Sequence, residues 1–480
     1  MKLRKYILMS AAALSLWMVS CNKIKDFGDV NVDPNRTEVP STAALLTNVL
    51  SQVGGFASQT RGGLYAQQFS ETQYTEVSLY ALPRLDFDGI YAGALYDLQN
   101  IININTDDAT KGNAIKFGSN NNQIAIARIL KAYIFWTITD RWGDVPYFEA
   151  LQGNENLSPK YDPQELIYKD LVKELREASD QFDAGATVVG DIVYSGSATS
   201  WKKVANSLRM LISLRTSKVY PNPGEWAATE FAAAYNDTDG YIATNADNLT
   251  INYTGSVNAF RNPFWVLYNG RTDFAESKFM TDLMASLSDP RQTAFGSNTN
   301  GFPYGLTREQ AIARPTNYAQ ILSSTWRATN APLTVIGADD VRLAIAEAAF
   351  RKWITADVAA NYRAGIEQSW AQWGVSGTIN TYMSQTSVAL TGEATDLQKI
   401  HLQQYIAWYP DGIQAWANWR RTGVPTLTPT VNALNSSKQI PRRYTYGSNE
   451  YSLNQAGVNE AVSRLQGGDV ETSRVWWDKP

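Results

Sequence analysis

Cysteine and histidine are almost absent from these 480 residues: Cys21 and His401 are the only ones. A His/Cys zinc cluster, an iron–sulfur site and a disulfide framework therefore lack the residues to build them. A Ser–His–Asp or Cys–His catalytic set could draw only on His401, and no nucleophile motif accompanies it. A basic excess is missing too. Forty-two Lys and Arg stand against 46 Asp and Glu, for a formal charge of −4. That balance leaves nothing to neutralise a phosphate backbone, which argues against nucleic-acid binding. Beyond the first twenty residues no apolar stretch approaches the 18 or so that a membrane-spanning helix needs. What the chain does have is apolar and flat. Hydrophobic residues make up 44%, ample for a core, and Trp, Tyr and Phe number 15, 25 and 16. Asn, Gln, Ser and Thr are abundant as well. Aromatic faces with amides and hydroxyls suit a neutral, polyhydroxylated ligand; they suit a large helical core equally.

Residues 1–20 read as a lipoprotein signal peptide. Lys2, Arg4 and Lys5 form a basic start, and Ile7 to Val19 is an apolar run of secretory-signal length. Met18-Val19-Ser20 then precede the lone Cys21, whose thiol would carry the lipid. Removing residues 1–20 takes away three basic residues and no acidic one, which moves the charge from −4 to −7. Residues 21–40 are polar and turn-rich and read as a lipidated tether. A flexible coil of this length reaches about 25 Å, so the body would work close to the bilayer. Residues 41–480 are expected to form a single body.

Within that body the clearest helix starts at Asp162-Pro163-Gln164-Glu165. Asp162 is expected as the cap, Pro163 in the first turn and Glu165 as the reciprocal partner. Ile167, Leu171, Leu175, Ala178 and Phe182 form one face, and Glu165–Lys169 is a favourable i,i+4 pair. A second helix over 199–218 carries Trp201, Val204, Leu208, Leu211 and Leu214. The same pattern predicts helices over 121–139, 339–353, 357–373 and 396–418. Alanine-dense packing faces let paired helices approach closely, as in tetratricopeptide arrays. Residues 220–335 and 420–480 are rich in Pro, Asn and Gly and read as loops, short helices and a few short strands. The fold class is therefore mostly α: a tetratricopeptide-like helical-pair scaffold with a loop-rich lobe and few short strands.

Several residues invite a chemical reading. Asp140, Asp144 and Glu149 beside Trp142 and Tyr147 contain the carboxylates that glycoside hydrolysis requires. The same stretch, Asp140-Arg141-Trp142-Gly143-Asp144, reads as a helix end with Gly143 in a left-handed cap. Arg420-Arg421 after Trp416 and Trp419 suit stacking on indole and pairing with buried carboxylates. Glu347 is expected to answer an interior basic group, and Trp476-Trp477 to pin the C-terminal tail. Ligand-contacting aromatics are expected in the irregular segments: Tyr74, Tyr80, Trp265, Tyr268, Tyr318 and Trp326. Asn262, Asn269, Arg271, Asn317 and Gln320 are their polar partners. Stacking on a sugar's apolar face and contacts to hydroxyl pairs would hold the ligand in an open, wet site. No D-x-[DN]-x-[DN]-G loop is present, so neither metal nor cofactor is expected.

The chain resembles the SusD/RagB family of outer-membrane nutrient-binding lipoproteins of the Bacteroidetes, in its SusD-like variant. The likeness is carried by Asp26-Phe27-Gly28-Asp29 and Asp33-Pro34-Asn35, by Thr139 through Tyr147, and by Pro159-Lys160-Tyr161-Asp162. It continues through Gly190-Asp191, Trp201-Lys202-Lys203, Asn206-Ser207-Leu208-Arg209 and Asp289-Pro290-Arg291. Ala346-Glu347-Ala348-Ala349, Arg420 through Pro425, Ile440-Pro441-Arg442-Arg443 and Trp476-Trp477-Asp478 complete it, in family order. Gly447 stands where the family usually has Pro. The resemblance implies a surface-exposed binder, not an enzyme. It would capture oligomeric nutrients, mostly glycans and sometimes peptides, and act as lid to a SusC-like TonB-dependent transporter. Two alternatives from other classes stay open: a surface glycan hydrolase using paired carboxylates, and a structural plug blind to nutrient.

Overall fold

Apolar residues at 3–4 spacing set the scaffold. The computed structural model describes residues 40–81 and 84–480. The expected signal peptide, Cys21 and all of the tether but Pro40 lie outside the described residues. In chain order the principal helices are α1 (Thr42–Ala57), α2 (Thr60–Tyr65), α3 (Tyr96–Thr106), α4 (Asn120–Trp142), α5 (Gln164–Gln181) and α6 (Ala198–Arg215). They continue with α7 (Trp226–Tyr235), α8 (Lys278–Ser286), α9 (Ala338–Phe350), α10 (Val358–Gln372), α11 (Asp396–Ala407) and α12 (Gly412–Thr422). Sequence neighbours pack as pairs: α4 on α5, α5 on α6, α6 on α7, and α9 on both α10 and α11. Ile167, Leu171, Leu175 and Ala178 of α5, and all five apolar positions of α6, are buried as their spacing requires. The pairs sit close. A Cβ on Gly365 of α10 would lie 2.7 Å from Leu343 of α9, and one on Gly412 would lie 2.0 Å from the Gly63 backbone of α2.

The strands are short and pair only in twos. Antiparallel pairs join β1 (Phe69–Glu71) to β6 (Phe274–Glu276), β3 (Val145–Pro146) to β4 (Tyr161–Asp162), and β5 (Leu249–Ile251) to β7 (Leu333–Ile336). Strand β2 (Arg84–Leu85) runs parallel to β8 (Thr445–Tyr446). The fold is thus mostly helical, with helix pairs supporting a loop-rich region between α6 and α9. Among the described residues no helix is long and apolar enough to cross a membrane.

Three local expectations need correction. Asp162 does not cap α5. Its carboxylate accepts from the Tyr147 and Phe148 N–H groups at 3.0 and 2.8 Å, and Asp144 instead accepts from the Gln164 N–H at 2.8 Å. Both carboxylates were spent across the β3–β4 turn, which a local reading of the helix start does not see. Gly143 does end α4 with φ 90°, but its ψ of −121° puts it in the mirror image of the β region, open to glycine, rather than in the left-handed helical one. The chain leaves directly into β3. The helix expected over 396–418 is two helices, broken at Trp408-Tyr409-Pro410-Asp411, where Pro410 removes a helical N–H and Asp411 caps the next helix. Gly447 has a packing reason: a Cβ there would meet the Asp86 carboxylate at 1.7 Å.

The scaffold encloses paired charges. Arg420 lies over Trp416 with its guanidinium carbon 3.7 Å from the ring centre, and 4.7 Å from that of Trp477. Arg291 is bonded to Asp289 on the same turn and to Gln403 on α11 at 2.8 Å. Trp477 is fully buried and donates its Nε1–H to Asp140 at 2.9 Å, so the tail is pinned by a hydrogen bond as well as by apolar contact. Trp477→Phe keeps one aromatic ring but removes the pyrrole half of the indole and, with it, the donor to a fully buried carboxyl. We expect a loss of about 1–3 kcal/mol, read as a lower urea midpoint; an unchanged midpoint would mean that the hydrogen bond contributes nothing.

Candidate ligand-binding site

The expected ligand residues fall into three settings. One group comes together at the open end of the β1–β6 pair. Glu71 faces Phe274 in the register. Beyond it, Thr72 donates its N–H to the Asp273 carbonyl at 2.9 Å and its hydroxyl to the Thr272 carbonyl at 2.5 Å. The turn that follows is held from inside, because the Ser78 N–H and hydroxyl both donate to Glu71 at 2.8 Å. These bonds leave Tyr74 45% exposed. Two guanidiniums face its ring: Arg271 at 5.9 Å and Arg308 at 4.9 Å. Tyr318 donates to the same Thr272 carbonyl at 3.3 Å and packs edge-on against Phe302. Tyr74, Arg271 and Tyr318, read separately from the sequence, therefore gather around Thr272, with exposed Asn269 and Asn317 on the same loops.

A second group is consumed by the fold. Asn262 is buried, caps the helix Pro263–Tyr268 by accepting from Phe264 N–H, and donates to the Ala331 carbonyl at 3.0 Å. The Tyr268 hydroxyl donates to the Phe274 carbonyl and accepts from Ile321 N–H at 2.8 Å. Tyr80 is buried beside Tyr65. Trp265 is half-buried under Arg261, and Gln320 bonds through its backbone N–H to Ser297. The third setting belongs to Trp326. It lines a cavity of about 290 Å³ together with Trp373, Trp408, Tyr409, Asp340 and Asp411.

The sequence reading missed Arg308 of the first group and the other walls of the Trp326 cavity. Arg308 lies in a short helix with nothing local to mark it. Trp373, Trp408, Asp340 and Asp411 come from helix ends that only tertiary packing brings to Trp326.

The electrostatics under the first group are unusual. Glu276 of β6 is fully buried, and burial pushes its carboxyl up to about 8 despite a hydrogen bond from Gln292. Burial also raises Glu71 to about 7, against the two Ser78 bonds. The hydrolase carboxylates are differently placed. Asp140 is fully buried, bonded to the Tyr168 hydroxyl and to Trp477. Asp144 is paired with Arg464 at 2.5 Å, and Glu149 with Lys160 at 3.3 Å. Asp140 is sealed from any substrate.

A family model described as "Starch-binding associating with outer membrane", SusD-like, matches residues 34–447. The chain belongs to the SusD-like family. Solved structures agree over nearly the whole chain. A chitin-binding protein is 26% identical, with 92% of this chain and 100% of that one covered and a TM-score of 0.77. A SusD homologue from Bacteroides uniformis is also 26% identical over 92% and 99%, with a TM-score of 0.79. A chitin-binding SusD homologue from Flavobacterium johnsoniae shares the fold at 23% identity over 92% and 99%, also with a TM-score of 0.79. No curated protein matches. The SusD-like relatives have the helical, tetratricopeptide-like architecture described above.

Proposed function

We propose that this chain captures oligosaccharides at the Tyr74–Arg271–Tyr318 surface and passes them to a SusC-like TonB-dependent transporter, over whose barrel it acts as a lid. The observation that carries the reading is a half-exposed tyrosine ring, flanked by guanidiniums and a second tyrosine, held by the hydrogen-bonded β1–β6 end. A fixed aromatic face costs little ordering entropy on binding, and the neighbouring Arg and Asn groups supply contacts to hydroxyl pairs. Family membership supports a nutrient-binding role, and the 26%-identical relative described as chitin-binding supports a glycan. Binding without cleavage fits the sealing of Asp140.

Titrating the protein with oligosaccharide and peptide panels tests the reading. Tyr74→Ala should weaken the bound glycan about tenfold, or ~1.4 kcal/mol, with the melting temperature unchanged. Binding of peptides only would move the ligand class. Glycan cleavage lost on a carboxylate-to-amide change would replace capture with hydrolysis.

The anchor proposed is lipid on Cys21. Two or more acyl chains hold a protein stably at a bilayer, whereas one holds it only marginally. Cells fed a palmitate analogue should label the wild type and not Cys21→Ser, and mild-detergent purification of the wild type should bring down a barrel protein. Equal labelling would remove the anchor, and recovery of this chain alone would remove the partner.

A further inference from the structure

The cavity beside Trp326 has a chemistry of its own. It lies where the C-terminal end of α10 and the α11–α12 corner meet β5 and β7. Pro332 and Ala371 are exposed on its open side, and Trp408, Tyr409, Asp340 and Asp411 are buried on the inner side. Trp326 and Trp373 meet edge to face at 5.1 Å. Its volume, about 290 Å³, is at the lower edge of the ~300–1,000 Å³ of small-ligand sites.

Apolar walls would make this a plain hydrophobic hole; the carboxylates do not fit that description. Asp340 is 7% exposed. One of its oxygens accepts from Gly337 N–H at 3.0 Å, and the other, Oδ1, has no partner in the protein. Asp411 spends Oδ1 on the Ile413 and Gln414 N–H groups, both at 3.1 Å. Independently, the Trp373 Nε1–H is buried without an acceptor. Two residues that line the cavity thus carry a buried unmatched acceptor and a buried unmatched donor.

Among the described residues no Lys or Arg is bonded to either carboxylate. The charged groups nearest Asp340 in effect are the carboxylates of Asp339 and Asp411. Arg215 and Arg421 line a void of about 20 Å³ behind it; Arg421 is engaged elsewhere, and Arg215 is engaged through its Nε and Nη2, with its Nη1 left without a partner. Arg421 binds Glu347 at 2.6 and 2.8 Å, and Arg215 faces Asp140 at 3.6 Å and bonds Gln414. Arg141 and Arg215 act on Asp411 only at a distance. Neither Asp340 nor Asp411 has an ion-pair partner among the described residues. A buried carboxyl so placed must hold a proton or be matched from outside.

We propose that this cavity is a subsite for a protonated primary amine, the ammonium set against Asp340 and Asp411 and its carbon frame against the Trp326 and Trp373 rings. Indole faces attract ammonium groups, more strongly where water is excluded. The amine is that of an unacetylated amino sugar within a captured oligosaccharide; that source rests on the glycan reading above, the ammonium chemistry does not. Burial raises the Asp340 carboxyl well above its usual range and Asp411 to about 7. Entry of the ammonium therefore displaces a carboxyl proton to solvent and leaves a carboxylate–ammonium pair. Affinity should rise with pH as the carboxyl ionises, and fall again as the amine loses its proton.

Calorimetry on the full mature chain in detergent, in buffers of different ionisation enthalpy, tests this. The probes are a glucosamine tetrasaccharide, its N-acetylated counterpart and Nα-acetyl-lysine amide. The expected result is proton release with the glucosamine oligomer, and at least tenfold weaker binding with the release lost in Asp340→Asn. The N-acetylated oligomer should be indifferent to that change. Asparagine keeps the oxygen that Gly337 needs, and Asp411→Asn, which can still cap α12, is the second variant should the first not fold. Binding of acetyl-lysine amide with the same proton release would keep the ammonium subsite and move its source to peptide. No amine binding, or amine binding unaffected by either variant, overturns the subsite. Capture of neutral glycan lost in Tyr74→Ala but blind to amines would leave the glycan reading standing without this pocket. Amine uptake with no oligosaccharide binding at all would do the reverse.

Discussion

Glu347→Ala should lower stability by about 3–5 kcal/mol, the cost of stranding a buried charge. Glu347 is fully buried on α9. Arg421 of α12 grips both its oxygens at 2.6 and 2.8 Å, Arg351 donates at 2.8 Å, Gln404 of α11 at 2.9 Å, and the His401 Nε2 lies 3.0 Å away. One carboxylate therefore ties three helices. Alanine would leave the Arg421 guanidinium buried with only amide and hydroxyl partners. Burial opposes the ionised form of Glu347, but Arg421, His401 and Arg351 outweigh it and hold the carboxyl well below the usual range. The sign follows: the contribution is present above the unfolded value of ~4.3 and is lost as pH falls through the lower folded value. Urea melts at pH 7 should show the full deficit, and melts at acid pH a smaller one. A variant within 1 kcal/mol of wild type at pH 7 would show that α9, α11 and α12 do not depend on this carboxylate.

Glu276→Gln should act in the opposite direction. Glu276 is buried under the proposed ligand surface with one hydrogen bond, from Gln292 at 2.8 Å, and burial raises its carboxyl to about 8. Between ~4.3 and about 8 the folded protein keeps a proton that the unfolded chain releases. Stability must then fall as pH rises through that window, by up to ~1.4 kcal/mol per pH unit for one such group. Glutamine keeps the acceptor for Gln292 and carries no charge. The variant should match wild type near pH 4 and exceed it increasingly towards pH 8. Glu71 and Asp411, both raised to about 7 by burial, leave a residual slope up to neutrality. Parallel curves for the two proteins would mean that Glu276 is not held neutral by the fold.

Helices were legible wherever one face met a core. The apolar rows of α5 and α6 follow from spacing alone, since a 3.6-residue period leaves one stripe to bury. Arg420–Arg421 and Glu347 were readable for a related reason: an interior charge has to find an opposite charge or an aromatic face. The break between α11 and α12 was visible in Pro410 but outweighed by the long apolar pattern around it. The cap of α5 was misread because the turn between β3 and β4 gives Asp162 to the Tyr147 and Phe148 N–H groups and leaves Asp144, just past the end of α4, to serve Gln164.

The proposed ligand surface divides along the same line. Composition and position were enough to nominate Tyr74, Arg271 and Tyr318, because exposed aromatics and arginines in irregular segments have few packing roles. Nothing in those segments could separate them from Tyr80, Asn262 and Tyr268, whose neighbours in sequence look alike. That separation comes from strand pairing between residues some two hundred positions apart, which turns Tyr74 outward and leaves Tyr80 in the core.

By itself the sequence determined the helical class, the pairing of successive helices and the family, because these rest on local periodicity and on motifs carried within short stretches. Only the tertiary structure decided which aromatics face solvent, which carboxylates are sealed or left unmatched, and that Trp326 shares a cavity with Trp373, Asp340 and Asp411. Such facts depend on contacts between distant segments, where burial and the nearest opposite charge, not residue type, set what a side chain can do.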